Sequence, residues 1–350
     1  MKSLRKFLLL TLILTLIGRI DSACQTFANT TAVVTIKGTE STVILNECSI
    51  NPAVEKIVIQ TCVDQIYEGT FKDLPNLNDV RIVGANTKTI EPGFLQNLPN
   101  LTYVTINLNP LKEIRRGQFS NIKIDLIDLE NNKIWRIQRE AFENLTAEIL
   151  VLNKNNLRSI EKGWFKNSSI NNLQVATNKV TWVGLNTFSE IKNLEYLDLL
   201  DNSIYYIQDG TFTGIRLRQL DLSENMLTQT NFLANTKIGY VHIGINMLSN
   251  MFINSSAEIQ SMTIYPNPWR CECLRKLWPY FEARKIKLRE IYPNPWRCEC
   301  LRKLWPYFEA RKIKLREAPT YVKWKEEFPV CVVQSTECSN EVNVDETRKC

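Results

Sequence analysis

Side chains with reactive potential are few. His242 is the sole histidine in 350 residues, so a two-histidine metal motif is impossible. Asp221, beside it on a neighbouring strand, could supply a second member of a hydrolytic triad, but no serine context completes the set. No G-x-S-x-G, P-loop or G-x-G-x-x-G occurs. No enzyme, cofactor or metal is expected. The ten cysteines are the other reactive set. Two C-x-C pairs, Cys271/Cys273 and Cys298/Cys300, have the donor type of a zinc site. The N-terminus favours disulfides instead: Lys2, Arg5 and Lys6 precede an apolar run from Phe7 to Gly18, closed by Ser22 and Ala23. That is the pattern of a secretory signal, too short for a comfortable bilayer span. A secreted, extracellular chain without stable membrane insertion is expected. The sequons at Asn29, Asn100, Asn144, Asn167 and Asn254 agree with that compartment.

The elements that must position these groups follow from a period. In Leu194–Phe212, LEYLDLLDNSIYYIQDGTF, leucines fall at Leu194, Leu197 and Leu199, with Asn202, Ile204, Ile207 and Phe212 after them. This L-x-x-L-x-L-x-x-N-x-L frame is the leucine-rich repeat signature. It recurs from Leu101, Ile124, Ala147, Ile170, Leu217, Ile238 and Ile259, and more loosely from Val54 and Leu77. Leu197 and Leu199 have the period of a short strand with both side chains on one face. No single unit can bury that face; stacked neighbours bury it continuously. The expected fold is α/β: a leucine-rich repeat solenoid, or horseshoe, with a parallel concave sheet and about ten repeats. Asn109, Asn132, Asn155, Asn178, Asn202, Asn225, Asn246 and Asn267 should form a ladder at the bend after each strand, bonding backbone of their own and the next turn. Phe71, Phe94, Phe119, Phe142, Phe165, Phe188 and Phe212 should form a second ladder.

Residues between the buried leucines should point out of the sheet in two columns. One is Lys56, Asp79, Tyr103, Leu126, Ile149, Asn172, Tyr196, Gln219, Tyr240, Ser261; the other is Val58, Arg81, Thr105, Asp128, Val151, Gln174, Asp198, Asp221, His242, Thr263. Asp125, Asp128, Glu130, Glu195, Asp198 and Asp221 make the centre acidic. Tyr103, Asp128, Ile149, Tyr196, Asp198, Asp221, Tyr240 and His242 are the candidate partner contacts, since exposed aromatics in a groove are suited to protein recognition.

The organisation reads as signal 1–23, N-terminal cysteine cap 24–53, repeats 54–263 and a cysteine region 264–350. Two alternating runs after Cys24 predict a β-hairpin over the open end of the first repeat. Cys24 is expected to pair with Cys48, leaving Cys62 buried at a ladder position; a Cys48–Cys62 bridge is the alternative. At the other end, IYPNPWRCECLRKLWPYFEARKIKLRE occurs twice, at 264–290 and 291–317. Each copy has seven basic and three acidic residues, so the pair supplies +8 of a net +6 and the rest sums to −2. The basicity is local, and a nucleic-acid role loses its main support. Only the first copy is in frame, so Pro266–Cys273 should cap the last repeat with Trp269 over its apolar end. The second copy should either project as an appendage or be an artefactual duplication in the sequence. LRKLWPYFEARKIKLR reads as a cap helix with a solvated basic face.

The N-P-W-x-C-x-C start of each copy, with Leu277, Trp278 and Tyr280, resembles the cysteine-flanked C-terminal caps of extracellular leucine-rich repeat proteins. With a single copy, that resemblance implies that Cys298 and Cys300 pair with two of Cys331, Cys338 and Cys350, leaving an odd cysteine, for which Cys350 is the interchain candidate; with both copies, seven cysteines lie beyond residue 263 and the pairing stays open. With its signal peptide, N-terminal cysteine cap and G-x-F or A-F turns, the chain most resembles the leucine-rich immune proteins of mosquitoes. The resemblance implies a haemolymph protein that pairs by disulfide with a paralogous leucine-rich repeat chain and holds a complement-like thioester protein. Two features depart from that family: no heptads follow Cys338, as in a coil-less or truncated member, and the cap is duplicated. An adhesion or receptor-type ectodomain, shed or fragmentary, is the alternative, and direct recognition of microbes a third reading.

Overall fold

The computed structural model describes residues 30–45, 50–253, 256–269, 279 and 281–288. The signal segment, the second 27-residue copy, Asn29, Asn254, Cys24, Cys48, Cys298, Cys300, Cys331, Cys338 and Cys350 lie outside the described residues. The chain is a β-solenoid of about ten turns with a parallel sheet. It divides into two compact units, residues 1–156 with 163–170 and residues 157–162 with 171–350.

The first unit opens with strands β1 (Thr30–Ile36) and β2 (Thr39–Leu45), paired antiparallel from Thr30↔Leu45 to Ile36↔Thr39. Lys37 and Gly38 both have positive φ, 49° and 73°, the two-residue turn whose twist suits a tight hairpin. Glu55 holds that turn by accepting the N–H groups of Lys37 and Gly38 at 3.1 and 3.3 Å. β1 pairs antiparallel with β3 (Val54–Ile59), so the hairpin covers the open edge of the first repeat strand. Parallel pairing then runs through β4 (Asp79–Val83), β5 (Tyr103–Asn107), β6 (Lys123–Asp128) and β7 (Thr146–Val151).

In the second unit, residues 172–174 of β8 (Ser168–Gln174) pair with β9 (Tyr196–Asp198). The parallel sheet continues through β10 (Arg216–Asp221), β11 (Lys237–His242) and β12 (Glu258–Thr263). A further strand, β13 (Lys287–Leu288), adds to β12 with Ser261↔Lys287 and Met262↔Leu288. The cap reading did not anticipate it: the first 27-residue copy ends by returning to the sheet, with Phe281 and Ile286 buried. Trp269 folds back on the last turn, its Nε1 donating to the Ile264 carbonyl at 2.8 Å.

The two ladders hold each stack. Asn155 is buried; its Nδ2 donates to the carbonyls of Leu152 and Asn153 in its own turn and of Leu129 in the preceding turn, at 3.0–3.1 Å. Its Oδ1 accepts the Ile134 N–H at 3.0 Å. In the second unit Asn225 repeats the set with Leu222, Ser223, Leu199 and Ile204. The amides therefore reach back to the preceding turn, not forward to the next. This follows from the bend: the residue before the asparagine is left-handed at Leu108, Asn131, Lys154, Thr177, Asp201, Glu224 and Ile245, and that turn aims the amide at the strand already laid down. The phenylalanines stack at 5.7 Å (Phe119–Phe142) and 5.6 Å (Phe142–Phe165) in the first unit and at 6.0 Å (Phe188–Phe212) in the second. Phe232, on the short 3-10 helix Asn231–Leu233, extends the second ladder at 6.2 Å from Phe212.

Cys62 is not buried at the ladder position but exposed and, among the described residues, free. Val63 takes the inward place, its N–H bonded to the Ala85 carbonyl at 2.8 Å, and this turns Cys62 to solvent.

Candidate binding face

Lateral register decides what the columns present. In the first unit Lys56↔Asp79, Asp79↔Tyr103, Tyr103↔Leu126 and Leu126↔Ile149 are partners, as are Arg81↔Thr105, Thr105↔Asp128 and Asp128↔Val151. In the second unit the rows are Asn172↔Tyr196↔Gln219↔Tyr240↔Ser261 and Gln174↔Asp198↔Asp221↔His242↔Thr263. Each step is one parallel-strand spacing, about 4.8 Å.

Exposure divides the columns. Tyr103 is 41% exposed, while Asp128, Ile149, Tyr196, Asp198, Asp221, Tyr240 and His242 are half-buried. Four column members expected to face solvent are buried: Asp79, Val151, Ser261 and Thr263. Asp79 is covered by Arg81, whose Nη2 sits 2.9 Å from its carboxylate. Thr263 lies under Tyr240, hydroxyl to hydroxyl at 2.8 Å. The candidate contacts fall into two groups: Tyr103, Asp128 and Ile149 belong to the first unit, and Tyr196, Asp198, Asp221, Tyr240 and His242 to the second. In the first group Asp128 accepts Asn107 Nδ2 at 2.9 Å and the Glu130 N–H at 2.8 Å.

The second group is the more polarised. His242 Nδ1 lies 3.3 Å from Asp221 Oδ2, and the Tyr240 ring stacks over the imidazole at 6.2 Å. Ser223 donates its hydroxyl to Asp221 Oδ1 at 2.5 Å and its N–H at 2.9 Å. The order is serine–aspartate–histidine, so the hydroxyl is tied to the carboxylate and not to the imidazole base that would activate it. Burial alone would raise the Asp221 pKa; the His242 and Ser223 bonds outweigh it and hold the carboxyl below its ordinary value. Asp198 is shifted the other way. Burial, and then the charge of neighbouring Asp221, raise its pKa against the pull of the Leu200 N–H and of His242.

Sequence reasoning overlooked an aromatic group on the short back strands of the second unit. Trp182–Val183 pairs in parallel with Tyr206–Ile207, and Trp182, Leu185, Tyr205 and Tyr206 are 46–58% exposed. The spacing signal was present, since Trp182 and Tyr206 share a repeat position, but attention to the buried isoleucines hid it. Of the sequons within the described residues, Asn100, Asn144 and Asn167 are exposed just before β5, β7 and β8, away from the outward columns.

Two family models cover contiguous stretches: BspA type Leucine rich repeat region matches residues 135–260 in six copies, and Leucine rich repeat matches residues 75–134. Tsukushi of Xenopus tropicalis is 36% identical over 69 residues, 20% of this chain and 20% of that protein. Toll-like receptor 9 of Homo sapiens is 31% identical over 139 residues, 39% of this chain and 13% of the receptor. Trophoblast glycoprotein of Macaca fascicularis is 23% identical over 223 residues, 59% of this chain and 46% of that protein. The chain thus spans less than half the length of each of these relatives. Among solved structures, the LRIM1/APL1C complex matches with a TM-score of 0.52 at 16% identity, covering 75% of this chain and 50% of that one; at that identity the likeness is one of fold. With the asparagine ladder, the parallel sheet and the repeat matches in agreement, the chain is a leucine-rich repeat protein.

Proposed function

We propose that this chain is a secreted, non-enzymatic binding protein of innate immunity. Its sheet face, centred on Tyr196, Asp198, Asp221, Tyr240 and His242, contacts a complement-like thioester protein. The observation that carries the reading is the second unit's face itself: two tyrosines and an acidic row project between buried leucines, and the one histidine is committed to a carboxylate with no nucleophile on it. Half-buried tyrosines beside charge are typical energetic anchors of protein interfaces. Pairing with a paralogous leucine-rich repeat chain through Cys350 belongs to the same reading. The test is binding of the full secreted chain to a purified thioester protein from haemolymph. Tyr196→Ala/Tyr240→Ala should weaken it tenfold or more with the melting temperature unchanged. No binding by the intact chain, or equal binding by that variant, would sink the proposal.

A further inference from the structure

Charge is compensated differently along the two sheet faces. In the first unit two outward carboxylates have cations, Asp79 with Arg81 at 2.9 Å and Glu130 with Lys154 at 2.7 Å, and Asp128 is held by the Asn107 amide and the Glu130 N–H. In the second unit Glu195 pairs with Arg218 at 2.5 Å, at the start of the strands. The carboxylates further along are left without one. Among the described residues no lysine or arginine pairs with Asp198, Asp201, Asp221 or Glu224, and Asp221 has only His242. Asp198 and Asp221 are lateral neighbours, while Asp201 and Glu224 occupy the next bend, both exposed and both left-handed.

The same bend edge carries exposed apolar side chains: Met226 at 53%, Ile245 at 50% and Met247 at 60%. Ile245 is a β-branched residue at φ 52°, a conformation that branched side chains disfavour. Two like charges side by side, a strained exposed isoleucine and paired methionines all oppose the stability of the isolated chain. The charges and the apolar exposure are compensated by the same kind of occupant, one that brings positive charge to the row and apolar contact to the bend.

We infer that the sheet face of the second unit seats a basic peptide segment of a partner protein, with arginine or lysine over Asp198, Asp221, Asp201 and Glu224 and apolar contact at Met226, Ile245 and Met247. The inference rests on the binding-face reading above and adds the chemistry of the partner. From Gln174 to Thr263 the row crosses four strand spacings, about 19 Å, the length of roughly six extended residues. Tyr196 and Tyr240 flank the row in the adjacent column, where a guanidinium can stack. The chain as a whole is net +6, so a cation held here is held by this local field and not by overall charge.

The test uses the full secreted chain and a fluorescein-labelled nona-arginine peptide, with nona-glutamate as control, read by anisotropy at low and high sodium chloride. Saturable one-to-one binding is expected, weakening with salt and falling at least tenfold in D198N/D221N. D201N/E224Q changes only exposed carboxylates and should also weaken binding, even if the first variant is less stable. D64N/D73N, on the first unit, should leave binding unchanged. No saturable binding, or equal affinity in all three variants, overturns the inference. If nona-arginine binds only after Lys303, Lys312 and Lys314 are changed to glutamate, the chain's own basic segment fills the face and the assignment to a partner falls. Loss of the thioester protein in Tyr196→Ala/Tyr240→Ala, with no nona-arginine binding, would leave the face correct and the cationic chemistry wrong.

Discussion

At Asp198 and Asp221 two identical side chains one strand apart have pKa values shifted in opposite directions, and each direction has its own consequence. The carboxyl of Asp221 is held below its ordinary 3.8 by His242 and Ser223 against its burial. Its contribution to stability is therefore present above that value and lost as pH falls through the depressed one. Asp221→Asn should lower stability by about 1–2 kcal/mol at pH 7, since bonds to a charged acceptor are replaced by weaker ones. Asp198 is raised by burial and by Asp221, so its charged form costs stability at neutral pH and the cost vanishes as pH falls through the raised value. Asp198→Asn should raise the melting temperature at pH 7 and not at pH 3, as calorimetry at the two pH values would show. An equal change at both would mean that the charge is not the cause. Glu140 in the first unit is a structural counterpart. Its hydrogen bond from Lys166, reinforced by Arg116 at 2.5 Å, holds it below the carboxylate range despite desolvation. Glu140→Gln should flatten the acid limb of the stability curve below the ordinary glutamate value.

An element here is one turn of the coil, and its stability lies in what it shares with its neighbours. Asn155→Ala removes an amide that serves two turns and leaves the buried Ile134 N–H without an acceptor. The expected cost is about 2–4 kcal/mol, from one orphaned group at roughly 1–3 kcal/mol plus the lost donors, measurable by urea denaturation. Phe142 is fully buried between Phe119 and Phe165, so Phe142→Ala should cost about 3–5 kcal/mol. Ile245→Asn should act oppositely and stabilise by about 1 kcal/mol, because asparagine tolerates the left-handed bend and the isoleucine is half exposed; a loss would show that its apolar contacts outweigh the strain. These ladders were legible in the sequence, because a residue type recurring at one position must meet its own kind in the next turn. The left-handed bend was not, since leucine, lysine, threonine, glutamate and isoleucine occupy it and no residue type marks it. Phe232 was not legible because its turn, from Leu217 to Ile238, is shorter than those before it and reaches the ladder through a 3-10 helix.

For the whole molecule, mass is the direct observable. Expressed through a secretory pathway, the chain should carry glycans at Asn100, Asn144 and Asn167, each exposed beside a strand start; the matching Asn→Gln variant should lose one glycan's mass by intact mass spectrometry. Non-reduced protein should run as a covalent pair that collapses with reductant, and Cys350→Ser should abolish the pair. A monomer under both conditions would remove the disulfide partner from the proposed function. By itself the sequence determined the repeat period, the buried leucines and which residues share a column, because one residue per turn at a constant position can only stack on its equivalent. Tertiary structure alone decided that Cys62 turns outward, that Asp79 hides under Arg81, that β13 joins the sheet, and that Asp198 is desolvated; the meeting of His242 with Asp221 on the neighbouring strand already followed from the repeat register. Column membership depends on spacing along the chain. Depth of burial, bend conformation and the choice of partner depend on side chains packed from neighbouring turns, and no single repeat contains that information.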